Sequence, residues 1–307
     1  MEWAGTIAGV TIPLGEDESV DWTSLEAHLE SFVGCGLTGV VVNADTGEGA
    51  LLSPDERDAV LRFAVRQIGD RLPVAAGLLP AHTAAASASA RVAGDLGAAA
   101  LQVFTPPVFM GAPRDWEQVA AYYEAIAVAT DVPLIVYQAP AGLGVTFELE
   151  VLRRLAEVPG VLAIKESSWS RSRFAESAAV FAGDRHEVAL LSGEDSFIFD
   201  SLQGGADGAM LAAAASDAAA YATMWALRME PAAAGIQAAL DPYIERLFAL
   251  PLRDFRARLK AVLAHDGAIA SSMVRSPLRP IGGDEAAGLI GALADARTRI
   301  AALGLVG

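Results

Sequence analysis

Lys165 ends the apolar run Val161, Leu162, Ala163, Ile164 and is followed by Glu166, Ser167 and Ser168. The chain has only two lysines, Lys165 and Lys260, against 20 arginines (22 Lys+Arg minus 2 Lys). An ammonium among apolar strand ends is costly to keep charged, and desolvation draws its pKa down from about 10.4 toward the physiological range. The neutral amine attacks a carbonyl and forms a Schiff base. The protonated imine then withdraws electrons, so that an adjacent C–C or C–O bond breaks. Tyr137, in "VYQAP", closes the preceding apolar run and supplies a phenol to shuttle the protons of carbinolamine formation and bond cleavage. The stretch "NADTGEG" adds the Thr46 hydroxyl and the turn N–H groups around Gly47, a nest for a carboxylate. The set reads as a site for a 2-oxo acid.

Taken singly, each piece has a plain structural reading. A strand-end lysine is commonly solvated or paired, a tyrosine is commonly a core aromatic, and "TGEG" is commonly a turn. Glu48 can cap a helix or bind backbone N–H groups, and Ser167 and Ser168 can simply begin a loop. The reading rests on Tyr137 and Lys165 falling at the ends of adjacent strands.

The elements that would hold these residues alternate between short apolar runs and longer helical stretches. Strands are expected at "TIAGVTIPL", "GVVVN", "LPVAAGL", "AALQVFT", "PLIVYQAP", "VLAIKES", "EVALLSG" and "GAMLAA". They are continuous apolar runs rather than alternating ones, as parallel strands covered on both faces require. Between them "DWTSLEAHLESFVGCG", "SPDERDAVLRFAVRQIG", "PRDWEQVAAYYEAIAVAT" and "TFELEVLRRLAEV" carry apolar residues at helical spacing. Ser53, Pro54 and Glu56 form a capping-box start. Alanine-rich "HTAAASASARVAG" reads as a barrel helix rather than a linker. The spacing predicts an α/β fold, a (β/α)8 TIM barrel over residues 1–230. An open doubly wound sheet is the competing architecture, but no G-x-G-x-x-G follows the first strand. Residues 231–307 read as a C-terminal three-helix appendage.

Composition narrows the function. A net charge of -16 argues against nucleic acid and anionic membrane as partners. The single cysteine, Cys35, excludes a disulfide framework and is expected at a buried helix end. His28, His82, His186 and His265 are scattered without metal-ligand spacing, so no metal is expected, and His28 and His265 are expected at the surface. Lys260, in "FRARLKAVL", is expected on a solvated helix face. The first residues carry neither a basic n-region nor a long apolar run, which leaves the cytoplasm as the expected compartment. The loop after strand eight lacks a glycine-rich phosphate grip and "SGED" after strand seven is acidic, so a phosphorylated substrate is not expected.

The stretches "NADTGEG", "VYQAP", "AIKESS", "LLSGEDS" and "GGADGAM" resemble, in order and spacing, the dihydrodipicolinate synthase and N-acetylneuraminate lyase family over nearly the whole chain. The resemblance implies that Lys165 forms the Schiff base, that Tyr137 shuttles protons and that Thr46, Gly47 and Glu48 belong to the carboxylate loop. Asp45, Gly47, Ser167, Gly193 and Met210 complete the expected substrate contacts. It also implies a homo-oligomer (tetramer or dimer) with no metal or organic cofactor. Three positions depart from the synthases. Asp45 replaces a Ser/Thr of the loop motif, Gly142 stands where they place a substrate-binding arginine, and Val108 stands near the tyrosine they lend across a dimer. Val108 and Gly142, together with Ala212, leave the second-substrate half apolar. The expected activity is therefore a Schiff-base lyase acting on a 2-oxo acid, by aldol cleavage or by dehydration. A synthase with Arg171 or Arg173 as substitute arginine, and a non-catalytic 2-oxo acid binder, are the alternatives.

Overall fold

Each of the eight apolar runs forms a strand, and the computed structural model closes them into one parallel barrel in chain order. It describes residues 3–111, 113–183 and 188–304; His186 lies outside them. The strands are β1 (Gly5–Gly9), β2 (Gly39–Val42), β3 (Val74–Leu78), β4 (Ala100–Val103), β5 (Leu134–Gln138), β6 (Val161–Glu166), β7 (Ala189–Ser192) and β8 (Gly208–Leu211). The outer ring is α1 (Trp22–Glu30), α2 (Pro54–Ile68), α3 (Thr83–Asp95), α4 (Trp116–Ala127), α5 (Leu149–Leu155), α6 (Arg171–Gly183), α7 (Ile198–Gln203) and α8 (Ala218–Ala226). Three further helices follow: α9 (Pro231–Leu247), α10 (Phe255–His265) and α11 (Gly283–Ala302).

Successive strand residues face opposite ways, so each strand serves two cores. The bore is plugged by one residue from every strand: Ile7, Val41, Ala75, Ala100, Ile135, Ala163, Leu191 and Met210. The outward residues, such as Leu101, Val103, Leu134 and Ile164, pack against the helices. This two-sided burial is why the runs show no polar alternation. Stepping two residues along from the plug brings Gln102, Tyr137, Lys165 and Gly193 to the C-terminal ends of β4, β5, β6 and β7, where barrel sites lie. Tyr137 is the register partner of Lys165.

Local signals hold where they are strongest. Ser53 Oγ accepts from the Glu56 N–H at 3.2 Å and Glu56 accepts from the Ser53 N–H at 2.7 Å, which completes the capping box of α2. Two expectations of burial fail. His28 is fully buried, because it lies on the inner face of α1 with Leu25 and Leu29 and packs on Phe32, one turn on, at 4.7 Å. Cys35 is half-buried in the turn beyond α1 rather than at a buried helix end, and its thiol meets the Ser31 carbonyl. His265 is exposed, as expected.

Candidate active site

Lys165 projects into the mouth of the barrel half-buried and, among the described residues, makes no hydrogen bond or ion pair. Its Nζ lies 5.2 Å from the Tyr137 ring centroid. Burial lowers its pKa below the ordinary lysine range, and the carboxyls of Asp45, Asp195 and Glu194 oppose this from a distance. The amine is thereby easier to deprotonate without a fixed counterion to hold its proton.

Space for that side chain comes from Gly193. A Cβ there would fall 1.8 Å from Ser167 Oγ and 2.9 Å from Lys165 Cε. Gly193 is therefore packed against both Ser167 and Lys165. Ser167 is buried and its hydroxyl has no partner. A buried hydroxyl left unpaired at the end of β6 is free to accept a partner from outside the chain.

Tyr137 is 7% exposed and stacks on Phe104 at 4.6 Å. Burial, with the nearby Asp45 and Glu194 carboxyls, pushes its pKa well above the phenol value, against the opposing charge of Arg256. The phenol stays protonated and can hand a proton over and take it back.

The loop after β2 folds as a turn in which the Gly47 N–H reaches the Ala44 carbonyl at 3.2 Å. Gly47 is thus committed within the turn. A side chain there would meet the Val10 carbonyl at 2.7 Å, so its role is to let the loop lie on the end of β1. The N–H groups of Asp45 and Thr46, with the Thr46 hydroxyl, have no partner among the described residues and are the available donors. Thr46 is buried, and its hydroxyl side packs where a Gly9 Cβ would stand, at 2.5 Å. Met210 is 1% exposed and belongs to the apolar plug under the mouth.

The expectation of a solvated Lys260 fails. Lys260 is fully buried, 2.5 Å from Glu48, and donates to the Met273 carbonyl at 2.8 Å. Helix α10 is buried on more than one face because it sits between α9, α11 and the loop after β2. Glu48, at φ 55°, also accepts from the Arg275 N–H at 2.7 Å, so it braces the turn rather than facing substrate. Arg171 pairs with Asp200, and Arg173 binds the Phe147 carbonyl and Glu176, so neither stands in for the missing arginine. Arg256 of α10 meets the loop at Asp45, through Nε to the carbonyl (2.7 Å) and Nη2 to the carboxylate (3.1 Å).

Two buried acids lie in the loop after β7. Glu194 accepts from the Trp169 N–H at 2.5 Å, and burial pushes its pKa up to about 8. Asp195 accepts from the Ala213 N–H at 2.9 Å and is raised by burial to about 6. The letters "SGED" mark them as acids but say nothing of this enclosure.

The model of the dihydrodipicolinate synthetase family matches residues 2–295. The chain belongs to that family. A 4-hydroxy-tetrahydrodipicolinate synthase of Xanthomonas campestris pv. campestris is 33% identical over 221 residues, 72% of this chain and 71% of the relative. An uncharacterized DapA-like lyase of Halobacterium salinarum is 30% identical over 292 residues, 95% and 93% of the two chains. The dihydrodipicolinate synthase of Acinetobacter baumannii, solved in complex with pyruvate, superposes with a TM-score of 0.86 at 28% identity, covering 99% and 100%. The protein is a lyase of the dihydrodipicolinate synthetase family. No helix among the described residues is long and apolar enough to cross a membrane.

Proposed function

We propose that the protein is a Schiff-base lyase of a 2-oxo acid. The observation that carries this is the uncompensated Lys165 amine beside the Tyr137 phenol, register partners on adjacent strands. The substrate carboxylate is received by the Asp45 and Thr46 N–H groups and the Thr46 hydroxyl, while Met210 and its neighbours close the apolar floor. Lys165 Nζ attacks C2, Tyr137 supplies the proton that lets the carbinolamine lose water, and the imine accepts the electron pair of the bond that breaks. Ser167 hydrogen-bonds the substrate beyond C2. The exposed apolar side chains Val108, Met110 and Leu143, on neighbouring loops, support self-association.

Borohydride trapping with pyruvate tests this. A stable adduct on Lys165, located by peptide mass spectrometry and absent in Lys165→Ala, is the expected result. A folded protein that traps no 2-oxo acid from a panel of chain lengths overturns it.

A second reading, a 4-hydroxy-tetrahydrodipicolinate synthase, is favoured by the 33% identical relative. Its aldehyde substrate needs a carboxylate receptor, and Gly142, Arg171 and Arg173 do not provide one. Incubating pyruvate-loaded enzyme with aspartate semialdehyde distinguishes the two, since only a synthase consumes both.

A further inference from the structure

A continuous line of contacts runs around one side of the mouth. Asp45 binds Arg256, whose guanidinium lies 4.6 Å from the Phe255 ring centroid. Phe255 packs on Phe248 at 5.6 Å, and Phe248 meets Trp169 edge-on at 5.4 Å. The Trp169 N–H is held in turn by Glu194. The line starts beside the donors of the Thr46 turn and ends in the loops that follow β6 and β7, so it borders the site between the turn and Lys165.

We propose that Asp45 and Arg256 are a specificity-determining pair that selects an uncharged, hydroxyl-bearing substrate tail over a tail with a second carboxylate. This rests on the 2-oxo acid reading above. Arg256 has five N–H donors. Its Nε serves the Asp45 carbonyl, one Nη2 hydrogen serves Asp45 Oδ1, and one Nη1 hydrogen reaches the Arg253 carbonyl at 3.4 Å. One hydrogen remains on each terminal nitrogen. Asp45 Oδ2 accepts no hydrogen bond among the described residues, and the Asp45 side chain is 40% exposed. The pair thus offers donors and an acceptor side by side, as a hydroxyl requires.

A carboxylate has no proton to give Asp45 and would reach Arg256 only by lying against a like charge. Lys260 is held by Glu48, Arg275 by Glu56 and Arg171 by Asp200. The pair escapes sequence reading because its partners are 211 residues apart.

The test uses four six-carbon 2-oxo acids that differ only in the tail: the two C4 epimers of 3-deoxy-2-oxohexonate, with 2-oxohexanoate and 2-oxoadipate as the two acids lacking the hydroxyls. For each, the half-saturating concentration for borohydride-trapped Lys165 is read by mass spectrometry, summing intact and cleaved adducts. In the wild type, one hydroxylated epimer is expected to saturate at a concentration at least about tenfold below both 2-oxohexanoate and 2-oxoadipate. In Arg256→Met and in Asp45→Ala that ratio falls to near one. Each ratio is internal to one variant, so a general loss of fold lowers all acids together. Should either variant give no adduct, Arg256→Lys and Asp45→Asn, which keep the space filled, are read against the same ratio. A wild type that takes 2-oxoadipate first, or does not discriminate, overturns the proposal, as does a preference that survives both substitutions. Adducts without tail preference sink this proposal alone; no adduct with any acid, pyruvate included, sinks the Schiff-base reading with it.

Discussion

Lys165 and Lys260 are the chain's only lysines, and both are withdrawn into the same end of the barrel. Burial lowers the pKa of each. They differ in what lies within reach of the ammonium. Lys260 has Glu48 at 2.5 Å and the Met273 carbonyl at 2.8 Å, so its charge is matched and its position fixed. Lys165 has only carboxyls at a distance, two of which hold their own protons into the range of about 6 to about 8. Enclosure with a matched partner makes a strut. Enclosure without one leaves an amine that can give up its proton and bond to carbon.

The contrast is most sharply broken by exchanging which lysine is removed. Lys165→Ala should cut exchange of the pyruvate C3 protons in D2O, followed by NMR, by about 10^4-fold or more, the scale of losing a covalent nucleophile. It should leave the melting temperature unchanged or raised, since an unmatched buried amine is gone. Removing the phenol alone, in Tyr137→Phe, should slow the same exchange by about 10^2- to 10^4-fold while borohydride still traps the imine given time. If exchange were untouched, Tyr137 would not be the shuttle.

Lys260→Met should do the reverse of Lys165→Ala. It leaves Glu48 buried and unmatched and should cost about 3–5 kcal/mol in denaturant unfolding. Adding Glu48→Gln should restore much of that, whereas a solvated lysine would show no loss and no rescue. The smallest effect concerns Glu194. As pH rises through about 8 it ionises, and its new charge favours the ammonium form of Lys165. Glu194→Gln should therefore match wild type below about 8 and exchange pyruvate protons faster above it. Stability follows the same sign: the fold holds this proton more tightly than the unfolded chain, so the contribution is full below 4.5 and lost as pH climbs through about 8.

The barrel and the Lys165–Tyr137 adjacency were legible because they depend on runs within one strand and on chain order. Eight unbroken apolar runs admit few foldings, and a residue at the end of a run inherits its place from the strand. Lys260, His28 and Arg256 were not legible. Helical periodicity tells which residues share a face, not whether another element covers that face. Helix α10 is covered on several sides, and its partners Asp45 and Glu48 lie more than 200 residues away in the chain. Gly47 was legible as a turn residue, but its N–H turned inward to Ala44, so the donors fell to Asp45 and Thr46.

Arg256 and Lys260 stand one turn apart on α10, the first holding Asp45 and the second Glu48. The helix therefore grips both ends of the four-residue turn that carries Thr46. A fragment cut at residue 230 would keep every strand, Lys165 and Tyr137, yet Glu48 would lose its counter-charge and Asp45 its arginine. Grafting this barrel onto another tail would exchange part of the candidate site along with the helices.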